Sequence, residues 1–410
     1  MFLDTLARRN PDLIRAAIDL HQTGEIPPNS YVLDLDTIRR NARLIKQAAD
    51  KAGLHIYPMT KQVGRNPLFI RAIARAGMPK FVCVDWMGAQ ILARQKAQIG
   101  HVGHLVQIPR NEAHNIAALE PEVWTVFNLQ KAREVSAAAQ RLGRLQDLLL
   151  RVVAEGDTFY PTHDGGFQLN DVVAAARQIA QLPAVRIVSV TSFPTLLYDP
   201  EKAAVLVTNN PRTSPYVTNN LHTIVEAASR LRREAGLEIT QINAPGTTSA
   251  ATMEILAAAG ATHVEPGHGY TGTTPWHGYE DLPERPAMCY VTEVTDVRGE
   301  EGYVLGGGFF IDPVIPEYAV RAFVGRSGED ALGRERAAAK LGPAGGIDYY
   351  ALLDRRSTKV EIGDSVVFGF RAQVFATRGQ VAVIRGLSRN APKVAGVFDT
   401  VGRRLRTSGQ

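Results

Sequence analysis

The chain has 410 residues, 45% of them hydrophobic, so it is too long for one small domain and carries enough apolar material for a substantial core. Its net charge of +5 comes from scattered basic residues, with no arm or aromatic-interleaved stripe, so a nucleic-acid binder is not expected. Two cysteines, Cys83 and Cys289, are too few for a disulfide framework, and no apolar run has the length of a membrane span or of a leader core, so the expectation is a reduced, cytoplasmic, water-soluble protein.

In chain order, Leu13, Ile14, Ala17, Ile18 and His21 fall on neighbouring turns of an amphipathic helix, which Pro27 and Pro28 end. A strand follows at 31–35, and Asp36 is placed to cap a helix over 37–52. Short apolar runs then alternate with helical stretches. The strands are expected at 55–60, 81–85, 104–108, 123–127, 148–153, 185–191, 239–243 and 262–265. Helices are expected at 67–77, 89–99, 129–142, 170–182, 222–235 and 249–260. Eight strands joined by crossover helices predict a (β/α)8 TIM barrel, an α/β fold. The long Pro-, Asn- and Thr-rich stretch 193–220 reads as a functional loop or lid.

After Pro275 the helices stop. Strand-like runs at 289–297, 303–310, 365–370 and 381–385 predict a mainly β C-terminal domain, with 325–346 as a surface insertion. The expected organisation is a helical extension at 1–29, the barrel at 30–278 and the β domain at 279–410.

Three places carry chemistry. Lys61 closes the apolar run at 55–60 and would sit at the C-terminal rim of a barrel, where barrel chemistry occurs; position alone favours a solvated loop lysine. Asn243-Ala-Pro-Gly-Thr-Thr-Ser249 is a Gly- and hydroxyl-rich turn before a helix, which offers N–H and O–H donors to a phosphate or serves as a simple N-cap. Glu265-Pro-Gly-His-Gly-Tyr270 follows the last strand, where Gly267 and Gly269 allow close backbone approach to a ligand or connect two domains.

Together these residues resemble the alanine racemase-like, fold-type III family of pyridoxal 5′-phosphate enzymes. Val32-Leu-Asp-Leu-Asp-Thr-Ile-Arg-Arg-Asn41 is similar to that family's opening strand and helix, and Glu265-Pro-Gly267 to the Glu-Pro-Gly of its decarboxylases. Met59-Thr-Lys-Gln62, Gly103-His-Leu-Val-Gln-Ile-Pro109 and Thr191-Ser-Phe-Pro194 resemble the YhfX-type branch of racemase-like proteins. The resemblance implies a Schiff base on Lys61, which is also the catalytic base. It further implies a cofactor-binding set of Lys61, Arg65, Ser192, Gly246, Thr247, Thr248, Ser249, Glu265, Gly267 and His268, with Glu265 facing the pyridine nitrogen. An amino-acid substrate, racemisation by Cα proton abstraction and a homodimer are the implied function and assembly. Decarboxylation, a lyase reaction or a non-catalytic carrier role are the alternatives.

Departures from the family matter for the reaction. The sequence around Ile362-Gly-Asp364 lacks the His and Cys of zinc-dependent relatives, so no metal is expected. The racemase tyrosine has no counterpart in Leu305-Gly-Gly-Gly-Phe-Phe310, which leaves Tyr270, Tyr303 and His163 as candidates for the second proton carrier. Cys289 is expected in the core, and Arg371 on the surface or at a substrate carboxylate. His101 and His104, an odd step apart in a strand-like run, are expected to face opposite ways as barrel packing.

Overall fold

The computed structural model describes residues 1–198, 215–310, 320–342 and 348–405. They form two compact units, one of residues 44–60 and 73–267, the other of residues 1–43, 61–72 and 268–410.

The first unit is a parallel barrel. Its strands run in the order His55–Ile56, His263–Val264, Gln241–Ala244, Val185–Thr191, Gln146–Val153, Val123–Val126, Gln98–Val102 and Lys80–Val82. A parallel bridge between Met59 and Val82 closes the ring. The first strand is short as a regular element, yet its ladder continues through the bond from Met59 N to Pro266 O, 2.9 Å. Helices follow the strands and begin at side-chain caps where the sequence supplies them. Asp85 Oδ1 accepts from Gly88 N at 2.5 Å and Asn128 Oδ1 from Lys131 N at 2.9 Å.

One expected strand is misplaced. The third barrel strand in chain order is Gln98–Val102, not 104–108, and the helix before it is Trp86–Arg94, ending well short of residue 99. Lys96 adopts a left-handed φ of +59°, which a helix interior does not accept, and the next residues extend into the strand. Most of the 193–220 stretch, residues 199–214, lies outside the described residues, so its reading as a lid is not addressed.

The second unit is a nine-stranded sheet. Glu301–Leu305, Tyr350–Asp354, Ala337–Lys340, Arg321–Gly325, Ser365–Phe368 and Met288–Arg298 pair in turn and antiparallel, and Met288–Arg298 pairs back to Glu301–Leu305, closing a small barrel. Ser30–Asp34, Gln380–Arg385 and Lys393–Phe398 extend the sheet beyond it. The expected barrel-opening strand therefore belongs here. Ser30–Asp34 is buried along its whole length, antiparallel to Met288–Arg298 and parallel to Gln380–Arg385. Its cap role is also shifted by two residues. Asp34 Oδ1 accepts from Asp36 N and Thr37 N, at 3.1 and 3.2 Å, while Asp36 Oδ2 accepts from Gly386 N at 2.9 Å.

The segment expected as an extension at 1–29 is integral to this unit. Helix Pro11–Gln22, with proline at its first position, places Leu13, Ile14 and Ile18 against Val32, Val291, Phe323 and Val367 in one apolar core. Cys289 lies in the same core, as expected. Within the expected insertion at 325–346, the described residues include helix Gly328–Gly333 and strand Ala337–Lys340, with Ala331 and Ala337 fully buried, so it is part of the fold; 343–346 lie outside the described residues. Among the described residues no helix is long and apolar enough to cross a membrane.

Candidate active site

Inside the parallel barrel the side chains form layers, as successive inward positions of each strand must. Tyr57, Met59, Val82, Val123, Leu149 and Val188 form an apolar layer. Two residues further along their strands, Val123 and Leu149 give way to Thr125 and Arg151. Thr191 is in register with Arg151, and Asn243 with Thr191. With His101 and Glu265 these residues make a buried polar layer at the C-terminal ends of six neighbouring strands.

Burying a carboxylate without partners is very costly, and Glu265 has them. Its Oε1 accepts from Asn243 Nδ2 at 2.9 Å and lies 2.5 Å from His101 Nδ1, while Oε2 is 3.3 Å from His104 Nε2. His101 Nε2 lies 2.5 Å from Thr125 Oγ1, and Asn243 Nδ2 also reaches Thr191 Oγ1 at 3.3 Å. His101 Nδ1–H donates to Glu265, and the Thr125 hydroxyl is able to accept from Nε2–H or donate to Nε2. Burial alone would raise the Glu265 pKa, but the nearby charges of His104 and His101 and the bonds from His101 and Asn243 outweigh it, so the group stays below its ordinary value and ionised. Oε2 is buried with no aligned hydrogen-bond donor.

His101 and His104 therefore do not face opposite ways. Gly103 takes a φ of +76° between them, and a Cβ there would lie 2.8 Å from Thr125 O, so only glycine makes the turn that returns His104 to the same carboxylate. Ligand atoms of His101, His104 and Glu265 lie within 4.8 Å of one another. Donor atoms sharing one tetrahedral ion at bonds of about 2.0–2.1 Å stand about 3.3 Å apart, so the 2.5 Å contact is a hydrogen bond and not a ligand pair as arranged.

The 243–249 turn is built against Leu196. A Cβ on Gly246 would meet Leu196 N at 2.9 Å, and Thr247 N donates to Leu196 O at 3.4 Å. Thr247, Thr248 and Ser249 are all buried. Ser249 N donates to Thr252 Oγ1 at 2.9 Å, while Ser249 Oγ is buried with no hydrogen-bond partner. Ser192 is buried and its Oγ accepts from Asn220 Nδ2 at 3.2 Å.

The second unit holds Lys61, Arg65 and His268. Lys61 opens a 3-10 turn, Lys61–Val63, half-buried, with Nζ 5.8 Å from the Phe375 ring centre. Gly64 and Arg65 follow in left-handed conformations, φ +61° and +50°, and the buried Arg65 guanidinium stands 5.2 Å from the same ring. His268 Nδ1 bonds Thr273 Oγ1 at 3.1 Å and Nε2 accepts from Gln373 Nε2 at 3.3 Å. Burial, then the charges of Arg371, Lys61 and His277, hold His268 well below its ordinary pKa, so its imidazole is neutral. Arg371, expected on the surface as one alternative, is buried.

Of the candidate proton carriers, Tyr270 is fully buried against Phe69, and burial drives its pKa well up. Tyr303 lies on strand Glu301–Leu305, under Arg298 and bonded to Glu301 Oε2 at 3.3 Å. His163 belongs to the barrel unit. It stands beside Tyr160 and Phe193, and Phe193 in turn packs edge-on against His104. The residues that the sequence reading missed are Arg151, His101, His104 and Asn243. A charged or polar side chain inside an otherwise apolar strand was the available signal for the first.

Comparison with known proteins agrees with this architecture. The family model of the alanine racemase N-terminal domain matches residues 33–275, and that of the YhfX-like C-terminal domain matches 289–394. The chain is 36% identical over 405 residues to the protein YhfX of Escherichia coli (strain K12), covering 99% of this chain and 100% of that one. Among solved structures it is similar to D-threonine aldolase from Filomicrobium marinum (TM-score 0.67, 15% identity, 93% of this chain and 96% of that one). It is also similar to alanine racemase from Clostridium difficile 630 (TM-score 0.62, 13% identity, 92% and 99%). A third is diaminopimelate decarboxylase from M. jannaschii (TM-score 0.63, 14% identity, 96% and 92%). The chain belongs to the alanine racemase N-terminal domain family, with the YhfX-like C-terminal domain after it.

Proposed function

We propose that the chain is a pyridoxal 5′-phosphate-dependent amino-acid racemase or epimerase that works by removing and returning a substrate's Cα proton. The observation that carries this reading is Glu265, a buried carboxylate kept ionised by His101, Asn243 and His104, with Oε2 open to a further N–H donor. The protonated nitrogen of a pyridine ring is such a donor. The buried, unbonded Ser249 Oγ supports the reading as a donor for a phosphate oxygen. When bound, pyridoxal phosphate supplies a ring that withdraws electrons and stabilises negative charge at Cα.

In this reading Gly246, Thr247, Thr248, Ser249 and the Gly267–His268 backbone hold the phosphate, Arg65 adds a positive charge, and Ser192 borders the ring. Lys61 would hold the cofactor through Nζ and, with that amine free, would take the Cα proton on one face. His163 is the proposed carrier on the other. Its Nδ1 donates to Pro161 O at 2.9 Å, which leaves the Nε2 lone pair for a proton. The reading includes a homodimer as the working form, which sedimentation of the loaded chain decides.

The cofactor is tested by an absorbance band at about 400–430 nm that borohydride bleaches and Lys61→Ala removes. Absence of the band in cofactor-supplemented protein sinks the reading. The reaction is tested by deuterium exchange at Cα across an amino-acid panel, where exchange with inversion is expected. A second reading, decarboxylation or side-chain cleavage, is favoured by the carboxylate itself, because Glu265 makes a stronger electron sink than a cationic partner would. Loss of carbon dioxide or of a side-chain fragment without inversion would establish it.

A further inference from the structure

Arg43 follows Arg40 by three residues and Arg39 by four on the helix Leu35–Lys51, a spacing at which like charges repel. With Arg285 these side chains wall a cleft of about 420 Å³ in the second unit. Arg40 shows the cost of the grouping. Burial lowers its pKa, Arg285 lowers it further, Glu284 raises it by less, and Arg43 lowers it again.

Asp12, Asp34 and Asp36 also line the cleft, but each is committed elsewhere. Asp12 pairs with Arg15 at 2.6 Å. Asp34 is buried and accepts from Asn10 Nδ2, Asp36 N and Thr37 N. Asp36 accepts from Gly386 N and Ser388 Oγ, both at 2.9 Å, and of the arginines reaches only Arg39, at 3.4 Å. Arg40 Nη1 donates to Pro283 O at 2.9 Å. Among the described residues no carboxylate stands within 4.0 Å of the Arg40, Arg43 or Arg285 guanidinium. Arg43 and Arg285 are exposed, and their side chains make no hydrogen bond to the described residues, so the fold does not account for them. Guanidinium forks that converge from two elements match the oxygens of an anion with more than one charge, and phosphoryl groups fit such forks. A cleft of this volume holds a small molecule.

We propose that this cleft binds a small phosphate polyanion, with Arg40, Arg43 and Arg285 as its ligands. None of the three belongs to the barrel unit, so the proposal stands apart from the cofactor reading. The full chain is titrated calorimetrically with diphosphate at about 0.15 M salt, where charges more than about 8 Å apart are screened. The double variant Arg43→Gln with Arg285→Gln is compared with Ser249→Ala and with Arg133→Gln, which removes an exposed charge from the barrel unit. Circular dichroism checks the folding of each. Diphosphate affinity is expected to fall about tenfold or more in the double variant and to stay within about twofold in the other two. Diphosphate should also raise the melting temperature of wild type and not that of the double variant. ADP presents two phosphoryl groups on an ester. Tighter binding than diphosphate makes the ligand an ester and weaker binding makes it the free anion, and either result supports the cleft when the double variant loses it. Citrate bound as tightly as diphosphate overturns the phosphate assignment, and no diphosphate binding by wild type overturns the site. So does an equal loss in Arg133→Gln, which is bulk attraction, or a loss confined to Ser249→Ala, which puts the anion at the 243–249 turn. Should the double variant fail to fold, Arg285→Gln alone with unaltered diphosphate affinity overturns the proposal.

Discussion

His101 Nδ1 and Glu265 Oε1 meet at 2.5 Å although the strands that carry them are separated by two others around the barrel. The contact is thus a chord across the barrel interior. Removing one partner leaves the other buried and unpaired, which typically costs about 3–5 kcal/mol. His101→Phe should therefore lose about 3 kcal/mol in urea unfolding. In a cycle with Glu265→Leu the double variant should lose less than the sum of the singles, by more than about 1 kcal/mol. Simple additivity would mean that the two side chains do not support each other.

Glu265 also sets an acid limit. Its carboxyl titrates below the ordinary value near 4.5, despite burial, because His104, His101 and Asn243 favour the charged form. A depressed carboxyl pKa stabilises the fold fully above the unfolded value, and that stability is lost as pH falls through the folded value. The stability advantage of wild type over Glu265→Gln should be constant from pH 7 to about 5.5 and shrink below about 4.5. Chemical denaturation at pH 7, 5.5, 4.5 and 3.5 reads this, and an advantage that grows on acidification would refute it.

Ser249 separates binding from folding. Its Oγ bonds nothing in the chain, so Ser249→Ala should leave the melting temperature within about one degree. A hydrogen bond to a charged group contributes about 1.5–3 kcal/mol, so the same change should weaken pyridoxal phosphate binding about 10- to 100-fold. A large drop in melting temperature without cofactor would instead make the hydroxyl structural.

The fold was legible where the signal was local. Seven of the eight barrel strands announced themselves as apolar runs, and the serine turn and Glu265 stood where a strand handed over to a loop. The strand Gln98–Val102 did not, because its inward-facing His101 belongs to the polar layer and breaks the apolar pattern that marks a strand. Arg151 was hidden for the related reason that Leu148-Leu-Leu-Arg-Val-Val153 reads as core with one interruption. The destination of Ser30–Asp34 was out of reach in principle. Its composition suits a buried strand of either unit, and the choice is made by partners some 260 and 350 residues away.

Gly246 tests the turn itself. A methyl there would press on Leu196 N, Cβ and O at 2.9–3.1 Å, mostly backbone that cannot rotate away. Gly246→Ala should cost about 1–3 kcal/mol as overpacking and displace the turn that presents Ser249. Unlike Ser249→Ala, it should lower both the melting temperature and cofactor affinity. A fully stable Gly246→Ala protein would show that the segment yields easily.

Two buried histidines outside the polar layer should set the slope of stability against pH. Burial, then the His55 ring, pushes the His263 pKa down to about 3, and burial pushes His21 down to about 4. Both are neutral in the fold, while the unfolded chain takes up their protons below about 6.5, so it binds more protons between those limits. Their stability contribution is therefore complete above about pH 6.5 and is lost as pH falls toward 4 for His21 and 3 for His263. Each contributes a slope of about 1.4 kcal/mol per pH unit inside its window. His263→Phe keeps a ring against His55 and Tyr57, and His21→Gln keeps a polar partner for Ser365. Each variant should flatten the unfolding free energy between pH 6 and 4.5, and the double variant should flatten it further. An unchanged slope would mean that these two groups are protonated in the folded chain.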